Sequence, residues 1–423
     1  MRIALPLLAL CVAVPASADD FDVKAKKLQQ SAIIVDGHLD APMALEEKWA
    51  DIAVKGATPH FDLPRAKEGG LTAPFFSIFV SAAYADKGAA KEALELIDLT
   101  RRVVAEHPAD MMMAASVDDI RAAKKANKLG VLMGIEGGHA IEDSLGVLRE
   151  MYKVGVRYMT LTHTNTNNWA DSSGPYFLPD YDAKHYVKHG GLTDFGREVV
   201  KEMNRLGMIV DLSHVSDGTV DDVLEVSRAP VFASHSSCRA LSSLPRNLTD
   251  DQIKRIADKG GMVMINVGSA FLDQKVWDAF LALKKRLAPQ LAKLKKQAGK
   301  NMGAYIGGIF KLYEKAGASL PLANLAAVVD HIEHVIKVAG ADAVGLGTDF
   351  DGIPNPPTGF EDYSKLTALT AELLRRGHSE AEVKKVLGDN FLAFFGRVEA
   401  AKQKLSSEKP NTAKYVAPTK AKK

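Results

Sequence analysis

The stretch Ile33-Ile-Val-Asp-Gly-His-Leu-Asp40 decides the fold. Its apolar run predicts a buried strand, and His38 and Asp40 follow where that strand ends. The same arrangement recurs along the chain, with an apolar run leading into an acid or a histidine. The further side chains placed in this way are Glu136, His163, His214, His235 and Asp349. Side chains that bind metals, placed at the ends of several buried strands, predict a metal site at the mouth of a parallel barrel.

Strand-like runs alternate with amphipathic helices along most of the chain. Repeated β–α units predict a parallel sheet, and eight of them predict a closed (β/α)8 barrel of the TIM type. The main alternative is an open doubly wound sheet, which would place its site at a single crevice. The candidate strands are residues 33–36, 74–80, 130–135, 157–162, 208–212, 231–234, 261–267 and 343–348.

Two segments exceed a minimal barrel. Residues 169–192 are rich in Asp, Ser, Gly, Pro and Tyr and predict a loop over the mouth. Residues 269–320 follow the seventh strand and carry apolar residues at near-helical spacing with lysines between them, which predicts a helical insertion. We expect one domain over residues 19–400 that includes this insertion.

The first eighteen residues have the pattern of a signal peptide. Arg2 gives a basic start, an apolar stretch follows, and Ala16-Ser-Ala18 is a cleavage site of the small-residue type. We therefore expect export, with a mature chain that begins at Asp19 in the periplasm or outside the cell. No other stretch is long and apolar enough to cross a bilayer, so we expect no stable membrane anchor.

The charge and the cysteine content limit the classes of protein to which this chain can belong. The chain has 423 residues and a formal charge of +2, and 25% of its residues are charged, as in soluble globular proteins. Residues 401–423 hold seven lysines and one glutamate and predict a disordered basic tail. Nothing indicates nucleic-acid binding. Removal of the signal peptide leaves Cys238 alone, which excludes an internal disulfide.

The candidate ligands have the chemistry of a site for two metal ions. His38 and Asp40 alternate along one strand, so both can reach one ion. His214 and His235 end consecutive strands, about 4.8 Å apart in a parallel sheet, and can share a second ion. Glu136 has two carboxylate oxygens and can bridge the two. Imidazoles and carboxylates without thiolates favour two Zn²⁺ ions, and manganese or cobalt suits the same geometry.

Three further residues are candidates for work on a substrate. Asp349 can take a proton from an activated water and give it to a leaving group. Asp351 ranks second for this role, because the strand ends before it. His163 is either a third ligand or a group that polarises a carbonyl. Arg246 suits a substrate carboxylate, which a guanidinium binds with two parallel hydrogen bonds.

Each of these residues alone has an ordinary structural explanation, and only the joint arrangement favours a site. A strand-end histidine is more often structural than catalytic, and a lone arginine is often a salt-bridge partner. His331 and His334 have helical i, i+3 spacing, but their apolar neighbours predict a packing helix. They also lack the H-E-x-x-H pattern of a zinc site.

Taken together, seven motifs resemble the membrane (renal) dipeptidases, a branch of the amidohydrolase-like metal barrels. The resemblance runs from about Ile33 to Phe395. The motifs are Val-Asp-Gly-His-Leu-Asp, Gly-Ile-Glu-Gly, Leu-Thr-His-Thr-Asn, Asp-Leu-Ser-His, Ser-His-Ser-Ser, Arg-Asn and Gly-Thr-Asp-Phe-Asp-Gly.

The resemblance implies a role for each candidate residue. His38 and Asp40 would bind one zinc ion, His214 and His235 the other, and Glu136 would bridge both. His163 would contact the substrate and stabilise the tetrahedral intermediate. Arg246 would hold the terminal carboxylate of the substrate, and Asp349 would shuttle the proton. Members of this family hydrolyse dipeptides and often tolerate a D-residue at the C-terminal position.

This chain departs from the mammalian form in three features. It has no C-terminal lipid-anchor signal, it lacks paired cysteines, and it carries the insertion at 269–320. A disulfide-linked dimer would need Cys238 to pair between subunits, and a homodimer of another kind stays open.

Three hypotheses follow. The first is an exported zinc metallo-dipeptidase, a hydrolase that acts on dipeptides with a free C-terminal carboxylate, L,D-dipeptides included. The second is another binuclear amidohydrolase, acting on a lactam, a lactone or an N-acyl amino acid. The third is a non-catalytic metal-dependent binding protein, against which the intact Asp349 argues.

Overall fold

Parallel strands form a closed barrel in the computed structural model, which describes residues 18–85, 87–299, 301–317 and 320–417. Its described strands are β1 (Val35–Leu39), β2 (Ala73–Phe79), β3 (Met111–Met113), β4 (Leu129–Glu136), β5 (Val156–Thr160), β6 (Ile209–Asp211), β7 (Phe232–Ala233), β8 (Met262–Ile265) and β9 (Val344–Leu346). All of these except β3 form the barrel in chain order, and β9 pairs with β1 to close it. The predicted (β/α)8 barrel is confirmed.

The short strand β3 was not predicted. It pairs in parallel with the first three residues of β4, and β2 pairs with β4 from Leu132 onward. Strand β3 therefore extends the sheet beside the barrel without entering the ring. Three methionines are too short a run to show the alternation that marks a strand.

Helices surround the barrel and connect its strands. They are α1 (Ala18–Ser31), α2 (Ala41–Glu47), α3 (Leu63–Gly69), α4 (Ala89–Glu106), α5 (Val117–Lys125), α6 (Leu145–Lys153), α7 (Asp194–Leu206), α8 (Asp217–Val226), α9 (Asp250–Asp258), α10 (Ser269–Leu272), α11 (Gln274–Arg286), α12 (Ala288–Ala298), α13 (Met302–Gly317), α14 (Leu325–Ala339), α15 (Leu366–Arg375), α16 (Glu380–Lys384) and α17 (Asn390–Leu405).

Hydroxyl side chains begin several of the connecting helices. Ser144, Thr193 and Ser216 accept hydrogen bonds from the third helical backbone N–H of α6, α7 and α8. Such caps satisfy donors that have no partner inside a helix and contribute about 1 kcal/mol each. They fix where each helix starts and so set the loops that carry the strand-end side chains.

Aromatic side chains fill the barrel interior and close its amino-terminal end. Phe75 of β2 and Phe232 of β7 lie 5.5 Å, centroid to centroid, from Phe391 and Phe394 of α17. All four rings are fully or almost fully buried. Because α17 packs against residues near the starts of the strands, the carboxyl ends form the mouth that remains for a site.

The segment after the seventh barrel strand, β8, forms helices α10 to α13. Helices α11 to α13 have a small core of their own, formed by Leu283, Leu287, Leu291, Tyr305, Ile309 and Tyr313. Phe177 and Leu178, from the loop at residues 169–192, pack against this core. The helical insertion and the loop over the mouth are therefore one packed unit.

The predictions for the two ends of the chain have different outcomes. Apart from Ala18, the predicted signal peptide at 1–18 lies outside the described residues. The tail was predicted to be disordered from residue 401, but α17 continues to Leu405, and Asn411 hydrogen-bonds to Glu198 and Glu202 of α7. Tyr415 also packs against Phe195, with ring centroids 5.9 Å apart. The high lysine content of this segment led to the prediction of disorder, and the sequence alone does not indicate these contacts. Residues 418–423 lie outside the described residues.

A search of the described helices for a membrane span was negative: none combines sufficient length with sufficient hydrophobicity.

Candidate metal centre

Glu136 lies at the centre of a cluster of histidines at the barrel mouth. As the last residue of β4, it is buried among side chains from neighbouring strands. Its Oε1 lies 2.9 Å from His214 Nε2 and 3.5 Å from His235 Nε2, and its Oε2 lies 3.6 Å from His38 Nε2. The two carboxylate oxygens therefore face different histidines, as a bridging ligand requires.

His38 and Asp40 form one half of the cluster. His38 Nε2 lies 3.3 Å from Asp40 Oδ2, and both side chains are buried. Among the described residues, His38 Nε2 and Asp40 Oδ1 have no hydrogen-bond partner. A buried polar atom without a partner costs about 1–3 kcal/mol. A divalent cation between these atoms would remove that cost, so the donor set fits a metal.

His214 and His235 form the other half. Their Nε2 atoms are 2.9 Å apart and converge on Glu136 Oε1. Burial lowers the pKa of both imidazoles well below the usual value, and the positive charge of Arg246 lowers it further. Neutral imidazoles keep a lone pair for a metal ion. His214 has a backbone φ of +67°, a left-handed conformation that costs roughly 1–2 kcal/mol in a non-glycine residue.

The histidines around Glu136 favour its ionised form. Burial alone would raise its pKa, but the electrostatic influence of the His163 and His38 imidazoles and the hydrogen bonds of His214 and His235 hold that pKa well below the usual range. Glu136 is therefore a carboxylate at neutral pH, as a metal bridge must be.

Asp349 stands beside both halves of the cluster. One ligand atom each of Asp349, His38 and His235 lie within 4.8 Å of one another. Asn266 donates a hydrogen bond of 2.7 Å from Nδ2 to Asp349 Oδ2, and its own Oδ1 accepts from the Gly268 backbone N–H. Loss of water around Asp349 raises the pKa of its carboxyl group to about 8 in the metal-free chain. Nearby cations would lower that pKa.

Arg246 is a buried cation beside the cluster. Its guanidinium donates to Ser236 Oγ and to the His235 carbonyl oxygen, each at 3.2 Å, while Nε has no partner. No carboxylate of the described residues forms a salt bridge with it. A buried charge without a salt-bridge partner is unfavourable, so this group suits an anionic ligand.

His163 completes the ring of predicted residues. It is partly exposed, its Nε2 lies 3.8 Å from Glu136 Oε1, and its ring meets Phe79 edge-on at 4.7 Å. Burial lowers its pKa, so the imidazole is neutral at neutral pH. It sits at the edge of the cluster, where a bound molecule could meet it.

Comparison with known proteins identifies the family. A model of the membrane dipeptidases (peptidase family M19) matches residues 23–409. The chain belongs to this family. It is 34% identical to Dipeptidase 3 of Rattus norvegicus over 394 residues, which cover 92% of this chain and 69% of that protein.

Two solved structures share the fold of this dipeptidase over nearly their whole length. One is the probable dipeptidase PvdM from Pseudomonas aeruginosa, with 26% identity, a TM-score of 0.77 and coverage of 90% of this chain and 99% of that one. The other is a metallo peptidase from Rhodobacter sphaeroides liganded with a phosphinate mimic of the dipeptide L-Ala-D-Ala. It has 26% identity, a TM-score of 0.69 and coverage of 87% of this chain and 100% of that one. The protein is thus a metallo-dipeptidase, a hydrolase of peptide bonds.

Asp351, the second candidate for proton transfer, forms hydrogen bonds that connect two loops of the dipeptidase. Its side chain accepts hydrogen bonds from Thr58 Oγ1 and from the His60 backbone N–H, both at 2.7 Å. These bonds tie the loop before α3 to the loop after β9. Asp351 belongs to none of the metal-capable clusters of the described residues.

His331 is a packing residue, as predicted. Its Nδ1 accepts from the Cys238 backbone N–H, and its Nε2 lies 3.0 Å from the Leu272 carbonyl oxygen. Both ring nitrogens are thus occupied by backbone groups. Cys238 is itself fully buried, so an intersubunit disulfide through its thiol is excluded without rearrangement.

Sequence reasoning missed the groups that orient the candidate ligands. His38 Nδ1 lies 2.7 Å from the Tyr158 hydroxyl, and His235 Nδ1 lies 2.8 Å from Ser234 Oγ. Ser234 in turn donates to the buried Asp211. Such partners fix the ring orientation and the tautomer of a metal-binding histidine. An acid inside an apolar run, as at Asp211, is a signal that could have pointed to them.

A second buried acid supports the other side of the mouth. Asp36 accepts from the His38 backbone N–H at 3.0 Å and from both Thr348 donors, Oγ1 at 2.6 Å and the backbone N–H at 2.9 Å. It therefore joins the end of β1 to the end of β9. Its carboxylate fixes the relative position of His38 and Asp349 without touching the cluster itself.

Proposed function

We propose that this dipeptidase uses two Zn²⁺ ions to hydrolyse dipeptides that carry a free C-terminal carboxylate. One observation carries the proposal: a buried arginine without a carboxylate partner lies beside five convergent metal-capable side chains. His38 and Asp40 would hold one ion, His214 and His235 the other, and Glu136 would join them. When bound, such ions supply the Lewis-acid chemistry that makes water nucleophilic at neutral pH.

The remaining residues act on the substrate. Arg246 binds the terminal carboxylate and so fixes the scissile bond relative to Glu136. Neutral His163, at the cluster edge, donates a hydrogen bond to the carbonyl oxygen as negative charge develops there. Asp349 takes the proton of the attacking water and passes it to the departing amine. The alternatives, hydrolysis of a lactam, a lactone or an N-acyl amino acid, do not all supply the carboxylate that Arg246 would bind.

The substrate range follows from this arrangement. Arg246 would read the terminal carboxylate, which both L,L- and L,D-dipeptides possess. The Rhodobacter sphaeroides relative, whose ligand mimics L-Ala-D-Ala, supports the inclusion of L,D-dipeptides. A panel of both kinds, incubated with metal-loaded protein, tests the proposal by release of free amino acids. Release from none of them would refute it.

We also propose that the protein is exported and processed after Ala18. The support comes from residues 1–18, which have a basic start, an apolar stretch and a small-residue cleavage site. Cell fractionation with N-terminal sequencing tests it: a mature chain that begins at Asp19 outside the cytoplasm is expected, and an intact Met1 in the cytoplasm would refute it. If the chain forms a homodimer, it does so without a disulfide, since Cys238 is buried.

A further inference from the structure

Tyr176, in the loop over the barrel mouth, lies close to the proposed carboxylate-binding group. Its ring packs against Phe271 of α10 and Trp277 of α11, with centroid distances of 6.3 and 5.9 Å. The guanidinium of Arg246 lies 5.5 Å from the centroid of the same Phe271 ring. Phe271 therefore contacts both Tyr176 and Arg246, and it places the tyrosine at the side of the site where a substrate carboxylate would bind.

The charges of Arg246 and Asp349 both influence the tyrosine. Burial raises the pKa of the Tyr176 phenol to about 12, while the charge of Arg246 lowers it and that of Asp349 raises it. The phenol is therefore neutral and within electrostatic reach of both groups. No described residue forms a hydrogen bond with its hydroxyl.

The chemistry of a dipeptide connects these positions. The C-terminal residue carries the departing amine at one end and the free carboxylate at the other. In the proposed function, on which this inference rests, the amine faces Asp349 and the carboxylate faces Arg246. Tyr176, which packs on the same Phe271 ring as Arg246, lies on the side of the site where the residue that bears the carboxylate would be held. We propose that Tyr176 forms the pocket wall next to the C-terminal residue of the dipeptide and limits the size of its side chain.

The helical insertion holds this wall in place. Lys284 of α11 donates a hydrogen bond of 2.6 Å from Nζ to the Tyr176 carbonyl oxygen, and Tyr313 of α13 donates one of 2.7 Å to the carbonyl oxygen of Phe177. Lys295 of α12 forms a salt bridge of 2.9 Å with Asp180. All three helices thus fix the loop that carries Tyr176. The insertion serves substrate selection by holding one side of the pocket.

The test compares substrates that differ only at the C-terminal residue. We would measure kcat/KM for L-Ala-Gly and L-Ala-L-Phe with the zinc-loaded full chain and its Tyr176→Ala and Tyr176→Trp variants. Differences in pocket fit of this kind change relative kcat/KM by roughly 10- to 200-fold. Tyr176→Ala should therefore raise the ratio for L-Ala-L-Phe over L-Ala-Gly at least about tenfold, and Tyr176→Trp should lower it.

Two controls keep the outcomes distinct. Val187→Ala changes an exposed side chain of the same loop and should leave the ratio unchanged. Tyr176→Phe keeps the ring and should stay within about threefold of the wild type, because the wall acts through its shape. Ratios that do not change in Tyr176→Ala and Tyr176→Trp would overturn the inference. Failure of the wild type to cleave L-Ala-Gly and L-Ala-L-Phe would instead overturn the proposed function.

Discussion

Replacement of Arg246 by methionine tests the claim that this buried cation recognises the substrate carboxylate. Methionine keeps much of the length and apolar character of the side chain but removes the guanidinium. Hydrogen bonds to charged groups contribute about 1.5–3 kcal/mol each. Two such bonds to a carboxylate amount to about 3 kcal/mol at the low end, so kcat/KM for L-Ala-L-Ala should fall by roughly 10²-fold or more.

The stability of the variant separates recognition from folding. Arg246 forms no salt bridge with a carboxylate of the described residues, so Arg246→Met removes a buried charge that has no direct ionic partner. Ser236 Oγ would keep its contact of 3.2 Å with Ser213 Oγ. The free energy of unfolding of the substrate-free protein should therefore stay the same or rise. Chemical denaturation checks this, and bound zinc should be unchanged.

The assay compares L-Ala-L-Ala with its C-terminal amide. Wild-type enzyme should prefer the free acid strongly, and Arg246→Met should reduce that preference to within a few-fold, since the amide offers no negative charge. A folded, metal-loaded variant that still prefers the acid as strongly as the wild type does would show that Arg246 does not recognise the substrate carboxylate.

Three further predictions concern the cluster. Asp349→Asn should keep both metal ions by elemental analysis but lose most of kcat, because an amide cannot accept and return the proton; loss of metal together with activity would show that Asp349 is a ligand. Asn266→Ala should lower kcat about 10- to 100-fold with little change in KM or metal content, since it removes one hydrogen bond to a charged group; a change in KM alone would contradict a positioning role. Gly352→Ala should impair metal loading, measured by zinc titration, because an added Cβ would lie 2.2 Å from Asp40 Oδ2 and 2.6 Å from Asp349 Oδ1; normal loading would contradict this.

The parts of the site that sequence could predict share one feature. His38, Glu136, His214 and His235 each follow or end an apolar run, and parallel strands bring their ends to one face of a barrel. The hydrophobic pattern, the number of strands and the position of each residue at a strand end were therefore enough to predict that these four side chains lie together. The structure adds the distances, above all the convergence of three histidines on the two oxygens of Glu136.

Contacts between distant segments were beyond sequence reasoning. Asn266 follows β8 and lies 83 residues before Asp349, with no local pattern that links the two. Asp36 and Asp211 interrupt apolar runs, but only the folded barrel shows which hydroxyl and backbone groups they accept from. The packing of residues 406–417 against the domain could not be predicted for the same reason, because Asn411 forms hydrogen bonds with residues of α7, which is distant in the sequence.

The proposed dipeptidase activity depends on two metal ions held by the five convergent side chains. The most direct measurement is a zinc titration of the metal-free protein, with hydrolysis of L-Ala-L-Ala followed at each step. Activity should be absent without metal and should reach its maximum when two ions are bound per chain. Full activity without metal, or a maximum at fewer than two bound ions per chain, would contradict a requirement for two ions.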